Sequence, residues 1–155
     1  MTRHRTYFDS PVGLLGITAS DAAITSIEFD AVREDDDEPN CALLEQARIE
    51  LEEYFAGRRT VFDLPLEPEG SDWERSVWRA LTDIPFSKTK SYGELARLLQ
   101  RPGAARAIGT ANRRNPIAIV IPCHRVIGAD GSLTGYGGGL DRKRWLLDHE
   151  RSDLA

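Results

Sequence analysis

A cysteine and a histidine stand side by side in the stretch IAIVIPCHRVIG, residues 117–128. Only a thiolate is a strong sulfur nucleophile, so Cys123, with His124 directly after it, is a candidate nucleophile. Pro122 cannot donate a ladder hydrogen bond, so the apolar run predicts a strand that ends there, with Cys123 facing a cleft. The alternative is that Cys123 is a small buried hydrophobe, as most free cysteines are.

The composition excludes several classes of protein. The 155 residues, 41% of them hydrophobic, suffice for one average domain or two small ones. No apolar run reaches membrane-spanning length and residues 1–10 lack a signal peptide's apolar stretch, so we expect a cytoplasmic protein without a membrane partner. The two cysteines are expected to stay reduced. Three scattered histidines and no close cysteine pair predict no metal site.

The net charge of −5 hides an asymmetry along the chain. Residues 1–72 carry 6 Lys or Arg against 17 Asp or Glu, whereas residues 73–155 carry 14 against 8. This split predicts a basic half that contacts a polyanion and an acidic half that does not. The acidic run at 33–39 predicts a solvated loop without a function of its own.

The first half predicts two strands and a helix. The stretches LLGITAS and AAITSIEF predict strands joined by a turn at residues 20–22. Residues 42–57 have the apolar spacing of an amphipathic helix, with Cys41 at its entrance. The linker-like stretch DLPLEPEGSD follows, and the charge balance changes sign there, which predicts domains at 1–66 and 67–155. The predicted apolar face of the helix consists of Leu43, Leu44, Ala47, Leu51, Tyr54 and Phe55.

The second half is predicted to be mainly helical. WERSVWRALTDI predicts a helix that buries three residues, Val77, Trp78 and Leu81. Ser91 and Glu94 have the spacing of a capping box, so the next helix begins at Tyr92. The break QRPG and the helical stretch AARAIGTANRR complete a helix-turn-helix outline. GADGSLTG holds an Asp-Gly turn that predicts a wing, and LDRKRWLLDHE predicts a last helix.

The second helix of this pair has few groups that could read bases. A major-groove helix needs Asn, Gln, Arg or Lys side chains aimed at base edges. Here Arg106 is the single large polar group among small residues, which are Ala104, Ala105, Ala107, Gly109 and Ala111. Two interpretations remain open. The small residues bring the backbone close to a narrow groove, with Arg106 projecting into a duplex, or they pack against the protein core.

Five segments in this order and spacing resemble the alkylguanine-DNA alkyltransferase family, which repairs DNA by direct reversal. They are SYGELA, AARAIGTANRRNP, IPCHRVIG, LTGYGGGLDRK and LLDHE. The resemblance runs from about residue 73 to residue 150 and extends more loosely over the N-terminal half. It implies an α+β fold, with a small N-terminal antiparallel sheet and helix of ribonuclease H-like type. A mainly helical, winged-helix-like domain with the helix-turn-helix follows.

The resemblance also implies the reaction and the partner. The chain would be a monomer that transfers the alkyl group of O6-alkylguanine in double-stranded DNA to its own Cys123, once per molecule and without a cofactor. It would bind the minor groove without sequence preference. Whether O4-alkylthymine is also a substrate stays open. A lesion-binding protein without transfer, and a cysteine hydrolase, are the two competing hypotheses.

The matched residues acquire roles from the same resemblance. His124 draws the proton of Cys123 through a bound water, and Glu150 orients the imidazole. Asn115 ties the helix pair to the active-site turn. Tyr92 rotates the 3′ phosphate and protonates the ring nitrogen of the leaving guanine.

The remaining positions concern DNA and the base. The lesion must leave the stack, and Arg106 would fill the gap. The carbonyls of Cys123 and Val126 would hold the exocyclic amine and the amide of Gly137 the guanine oxygen, in a wall that includes Tyr136. Four further positions match family contacts with the DNA backbone, namely Trp73, Gly93, Arg101 and Ala129.

Two departures from the family pattern are visible. Ser87 stands where glycine is usual, which is expected to stiffen its loop without touching a catalytic position. Trp73 and Glu74 replace a Phe-Gln pair. The N-terminal zinc ligands of some relatives are absent, so no metal is expected.

Overall fold

The computed structural model describes residues 3–33 and 41–152. These form two compact units, the first of residues up to 69 together with 116–118, the second of residues 70–115 and those from 119 on. Most of the acidic run, residues 34–39, lies outside the described residues. No helix in the described part of the chain has both the length and the apolar character needed to cross a bilayer.

The first unit is built on a three-stranded antiparallel sheet. Its strands are β1 (His4–Ser10), β2 (Gly13–Ala19) and β3 (Ile24–Glu28), in the order β1-β2-β3. Strands β2 and β3 confirm the prediction, whereas β1 was missed because its charged and polar residues do not alternate clearly with apolar ones. The segment that starts at Pro116 adds a short parallel bridge at Ile27, whose N–H donates to the Pro116 carbonyl at 2.9 Å.

Helix α1 (Ala42–Phe55) packs on β1 and β2. Four predicted core residues are fully buried, namely Leu44, Ala47, Leu51 and Tyr54. Glu50 is buried beside them, which the apolar pattern did not predict. Its carboxylate accepts from the backbone N–H of Asp63 at 2.7 Å and from the Gln46 amide at 2.9 Å, which compensates for the loss of water.

The second unit carries five helical segments and two short strands. In chain order they are α2 (Asp72–Thr82), β4 (Lys90–Ser91), α3 (Tyr92–Leu98), α4 (Ala105–Arg113), a 3₁₀ helix (Cys123–Arg125), β5 (Val126–Ile127) and α5 (Leu140–Ser152). Helix α2 buries the three predicted residues. The capping box of Ser91 and Glu94 is formed and α3 begins at Tyr92, as predicted. The predicted α+β class is confirmed.

Helix α4 divides its small residues between two faces. Gly109 and Ala111 are buried with Ile108, whereas Arg106 and Ala107 are exposed. The inner face therefore packs against the protein core, as one interpretation predicted, and contact of the outer face with a groove stays a prediction. Gly109 and Ala111 pack inward. On the outer face, Ala107 beside Arg106 has only a methyl side chain, so Arg106 is the group that projects.

Two local predictions were wrong. Residues 117–121 form no strand beyond the bridge at Ile117, because a turn covers residues 118–120 and Ile119 has a φ of 73°. An apolar run is equally compatible with a buried irregular segment. The Asp-Gly turn exists, with Gly131 N–H donating to Gly128, but no hairpin wing forms. Strand β5 pairs instead in parallel with β4.

Helix α4 is held to α2 by Trp78, whose buried Nε1–H donates to the Ala111 carbonyl at 2.8 Å. We expect Trp78→Phe to lower the free energy of unfolding by about 2 kcal/mol, because it deletes this hydrogen bond and part of the packed ring. Trp73→Phe, at a partly exposed position of the same helix, is the control and should cost less than about 1 kcal/mol. Urea unfolding at pH 7 measures both. Equal losses of unfolding free energy in the two variants would contradict the role of Trp78 in holding α4 to α2.

Candidate active site

Cys123 lies at the first position of the 3₁₀ helix and is only 5% exposed. Its N–H donates to the Ile121 carbonyl at 2.8 Å, and its carbonyl accepts from the Asn112 amide at 3.2 Å. The expected position at a strand end is therefore wrong. A tight turn of backbone, anchored to the end of α4, fixes the thiol instead.

The environment of the thiol opposes ionisation and assists it at the same time. Burial raises the pKa of Cys123 above its ordinary value. The nearby Asn115 amide, the charge of Lys143 and the nearby Tyr136 hydroxyl act in the opposite direction without overcoming burial. The resting sulfur is thus a thiol near neutral pH, and a base must remove its proton before it can attack.

His124 is the neighbouring base and is completely buried. Burial lowers its pKa, although Glu150 acts in the opposite direction, so the imidazole is neutral. Its Nε2 lies 2.7 Å from Glu150 Oε2. Since an ionised carboxylate only accepts, Nε2 carries the proton and Nδ1 is the basic atom. Nδ1 makes no hydrogen bond to any of the described residues.

The carboxylate of Glu150 accepts four hydrogen bonds. Besides His124, the donors are Arg125 through Nε at 2.9 Å and Nη2 at 3.0 Å, and the backbone N–H of Ser87 at 3.2 Å. Burial alone would raise the pKa of Glu150, but the hydrogen bonds and charges of His124 and Arg125 hold it well below the ordinary carboxyl value. Glu150 is therefore a permanent buried anion.

Two of these donors were not foreseen. Ser87 was expected to touch no catalytic position, and that expectation was wrong, because its N–H contacts Glu150 from a left-handed backbone with a φ of 69°. This conformation favours the glycine that is usual there. Arg125 also donates to the Ile84 carbonyl at 2.7 Å and lies over the Phe86 ring. The role of Arg125 could have been inferred only after Glu150 was assumed to be buried, because a buried carboxylate needs a cation beside it.

Asn115 contacts the segment before the thiol, and Tyr92 contacts the loop before α5. The Asn115 amide donates to the Ile121 carbonyl at 2.8 Å, which fixes the turn before Cys123. The Tyr92 hydroxyl donates to the Thr134 carbonyl at 3.2 Å. It also lines a cavity of about 370 Å³. The other lining residues come from α4 and the loop before α5, and are Ala105, Arg106, Gly109, Thr110, Arg113, Thr134 and Gly135.

The remaining predicted positions occupy varied surroundings. Val126 and Tyr136 are buried, and a Cβ on Gly137 would stand only 3.1 Å from the Arg113 carbonyl oxygen. Ala129 is exposed, and Gly93 has room for a side chain.

Trp73 and Arg101 contact each other, with the guanidinium 5.6 Å from the ring centroid. Within the described residues neither of the two hydrogen-bonds to the group around Cys123. In the same residues no three His, Cys, Asp or Glu side chains gather as metal ligands would.

Two family models together cover almost the whole chain. Residues 3–68 match the ribonuclease-like domain, and residues 72–152 the DNA-binding domain, of 6-O-methylguanine DNA methyltransferase. The fold and the site define a class of two-domain proteins. In this class, a ribonuclease-like domain is followed by a DNA-binding domain with a buried Cys-His-Glu group. The chain belongs to the 6-O-methylguanine DNA methyltransferase family.

Individual relatives agree over the full length. A methylated-DNA–protein-cysteine methyltransferase of Mycolicibacterium paratuberculosis is 50% identical, with 97% of this chain and 93% of the relative covered. One of Methanosarcina acetivorans is 44% identical over 94% and 96%. The crystal structure of a Mycobacterium tuberculosis protein in complex with DNA superposes with a TM-score of 0.89 at 46% identity, covering 97% of this chain and 94% of that one.

Replacing Glu150 by Gln should test the buried anion. The Arg125 guanidinium would lose its counter-charge inside the protein, so we expect the free energy of unfolding at pH 7 to fall by about 3 kcal/mol. Because the pKa of Glu150 is lowered on folding, its contribution is complete above about pH 4.3 and declines as the pH falls below that value. The difference between parent and variant should therefore shrink in acid.

The matched control is Glu94→Gln, since Gln also completes a capping box at an exposed helix start. It should leave the free energy of unfolding nearly unchanged, because the carboxylate is exposed. Denaturant titrations between pH 3 and pH 7 measure both variants. A Glu150→Gln protein as stable as the parent at pH 7 would refute the buried ion pair.

Proposed function

We propose that this chain repairs DNA by direct reversal, moving the alkyl group of O6-alkylguanine in duplex DNA onto its own Cys123. The observation that carries the proposal is the buried thiol beside an imidazole that is hydrogen-bonded to a permanent carboxylate. This group stands in a chain similar over nearly its whole length to proteins named for methyl transfer from methylated DNA to a protein cysteine.

The chemistry needs only residues of the site. Nδ1 of His124 takes the proton of the Cys123 thiol through an intervening water, and Glu150 stabilises the imidazolium that forms. The thiolate attacks the methyl carbon, so the S–C bond forms as the C–O6 bond breaks and its electron pair stays with guanine. The guanine then takes up one proton, which balances the one lost by sulfur. The product is a thioether, so each molecule acts once and needs no cofactor.

Protonation of the leaving guanine is assigned to Tyr92. Its hydroxyl donates to the Thr134 carbonyl at the wall of the cavity beside α4, whose lining does not include Cys123. A neutral guanine leaves far more easily than an anion, which is general acid catalysis. Tyr92 has a second proposed task, rotation of the 3′ phosphate as the nucleotide turns out of the helix. Asn115 supports the reaction through its hydrogen bond to Ile121 and its effect on the pKa of Cys123.

The DNA-facing surface is proposed to be the outer face of α4. Arg106 is exposed there beside Ala105 and Ala107, and it lines the cavity. A helix face of small side chains with one long basic side chain can enter a narrow groove. We therefore propose minor-groove binding without sequence preference, with Arg106 replacing the flipped nucleotide. The Mycobacterium tuberculosis relative crystallised with DNA, which supports DNA as the partner.

The other roles remain proposals from the same family. The carbonyls of Cys123 and Val126 and the amide of Gly137 would bind the guanine edge, with Tyr136 in the pocket wall. Four positions are proposed as DNA backbone contacts, Trp73, Gly93, Arg101 and Ala129. We assign DNA binding and transfer to residues 67–155 and a structural role to residues 1–66. The monomeric state and the cytoplasmic location stay predictions.

The acceptor can be identified directly. When the protein is mixed with duplex DNA containing O6-methylguanine, we expect one added methyl group of about 14 Da, located on Cys123 by peptide mass spectrometry, since only this thiol has a base and an orienting carboxylate. Cys123→Ser should bind the DNA and gain nothing, because a serine hydroxyl is far less acidic. Cys41→Ser is the control and should react like the parent. Methyl on Cys41, or repeated turnover, would contradict direct transfer to Cys123.

Base extrusion can be separated from chemistry at Arg106. Arg106→Ala should slow transfer from duplex DNA at least tenfold, since a few kcal/mol of unstacking must be offset when the base leaves the helix. Transfer from free O6-benzylguanine needs no extrusion and should change less than about twofold. Arg79→Ala, at an exposed arginine of α2, is the matched control for loss of surface charge. Equal slowing on both substrates would mean that Arg106 supports folding.

A further inference from the structure

Lys143 is a lysine with no exposed surface at all. It lies in α5, and its Nζ donates to the Thr134 carbonyl at 2.8 Å. Lysines are almost never fully buried unless they are paired. In the part of the chain that the structure describes, no carboxylate lies within ion-pair distance of Nζ. An anion that forms near this ammonium during a reaction would therefore be stabilised by it.

Helix α5 presents Lys143 and Glu150 on one face. The two residues are seven apart, which is two helical turns, and both are buried. The helix packs on the 3₁₀ helix that carries Cys123 and His124. Glu150 serves His124, and the charge of Lys143 interacts with Cys123. One helix face thus holds an anion for the base and a cation for the nucleophile.

We propose that Lys143 is a positioning residue for the transfer, its buried ammonium being the counter-charge of the Cys123 thiolate. This inference rests on the proposed function and adds a residue to it. Each anion of the site then has its own cation, Arg125 for Glu150 and Lys143 for the sulfur. His124 can accept the thiol proton and release it again, because Lys143 balances the charge of the thiolate. In a lasting cysteine–histidine ion pair, the imidazolium would have to stay protonated to do so.

The electrostatics of the pair agree with this role. Burial lowers the pKa of Lys143 to about 8 while Cys123 acts to raise it, so the ammonium form still prevails near neutral pH. Lys143 in turn lowers the pKa of the buried thiol. The other titratable or charged groups of this cluster are His124, with Arg125 and Glu150 beyond it, and Tyr136 at the sulfur. The anion that the ammonium faces is the thiolate formed during transfer, and alkylation of the sulfur removes it again.

The test uses the full chain with Cys41→Ser, so that Cys123 is the single thiol, and needs no DNA. The rate of carbamidomethylation by iodoacetamide is measured from pH 5 to pH 10. Lys143→Met keeps the length of the side chain and removes its charge. We expect the apparent pKa of the thiol to rise by at least one pH unit, which means a rate at pH 7 at least tenfold lower. Lys143→Arg should restore most of the rate, and the exposed Lys88→Met should leave it unchanged.

A residue that merely anchors the Thr134 backbone would give a different result. Lys143→Met would then be less stable in urea, but the pH profile of the thiol would match that of the parent within about twofold, and this outcome overturns the proposal.

If Lys143→Met fails to fold, NMR titration of the lysine Cε signals in the otherwise unchanged chain decides. The Lys143 pKa should fall when Cys123 is capped with methyl methanethiosulfonate, and an unchanged pKa refutes the pairing. Neither the alkylation rate of the thiol nor the Lys143 pKa depends on DNA, so both can be measured even if transfer from DNA fails.

Discussion

The carboxylate of Glu150 is the interaction on which the rest of the site depends. An ionised carboxylate inside a protein is costly unless every lone pair finds a donor. Here a guanidinium, an imidazole and a backbone N–H supply four hydrogen bonds. These donors come from the loop after α2 and from the 3₁₀ helix, whereas the carboxylate itself belongs to α5. Satisfying one buried anion therefore brings together three segments that are far apart in the chain.

The same anion determines the chemistry available to His124. Because Glu150 accepts from Nε2, the imidazole is fixed in the tautomer whose Nδ1 is basic. Arg125 binds the same carboxylate through two nitrogens, and burial and the arginine's charge lower the pKa of His124, which keeps the imidazole neutral at rest. A neutral histidine can accept a proton, whereas an imidazolium could not. The bidentate arginine thus preserves the basicity of its neighbour by competing for the carboxylate.

Local rules predicted the α-helices of the second unit, and long-range contacts escaped them. The capping box at Ser91 and the buried face of α2 follow from residues within one or two turns. The role of Glu150 came only from the family resemblance, since nothing nearby distinguishes it from a surface charge. Arg125 and Lys143 were missed because their partners come from other segments of the chain, which no local pattern reveals.

The failure at residues 117–121 has a different origin. Both a strand and a buried turn need apolar residues, so composition could not separate them. The backbone of Ile119 decides the matter, since a β-branched residue with a φ of 73° interrupts any extended segment. Such a conformation persists only where surrounding packing imposes it, and Ile119 is buried. The strained turn ends two residues before Pro122 and directs the chain into the 3₁₀ helix.

Burial of the nucleophile is intelligible for a protein that is consumed by its reaction. A thioether cannot be reversed by thiol exchange, so every reaction with a wrong electrophile would waste a whole molecule. A thiol that is 5% exposed and has a raised pKa reacts slowly with electrophiles in solution. Its reactivity becomes available when a base removes the proton inside the site. Burial of the sulfur raises the pKa of the thiol, and in return it protects Cys123 from unwanted electrophiles. The charge of Lys143 lowers that pKa and so helps the thiolate to form during transfer.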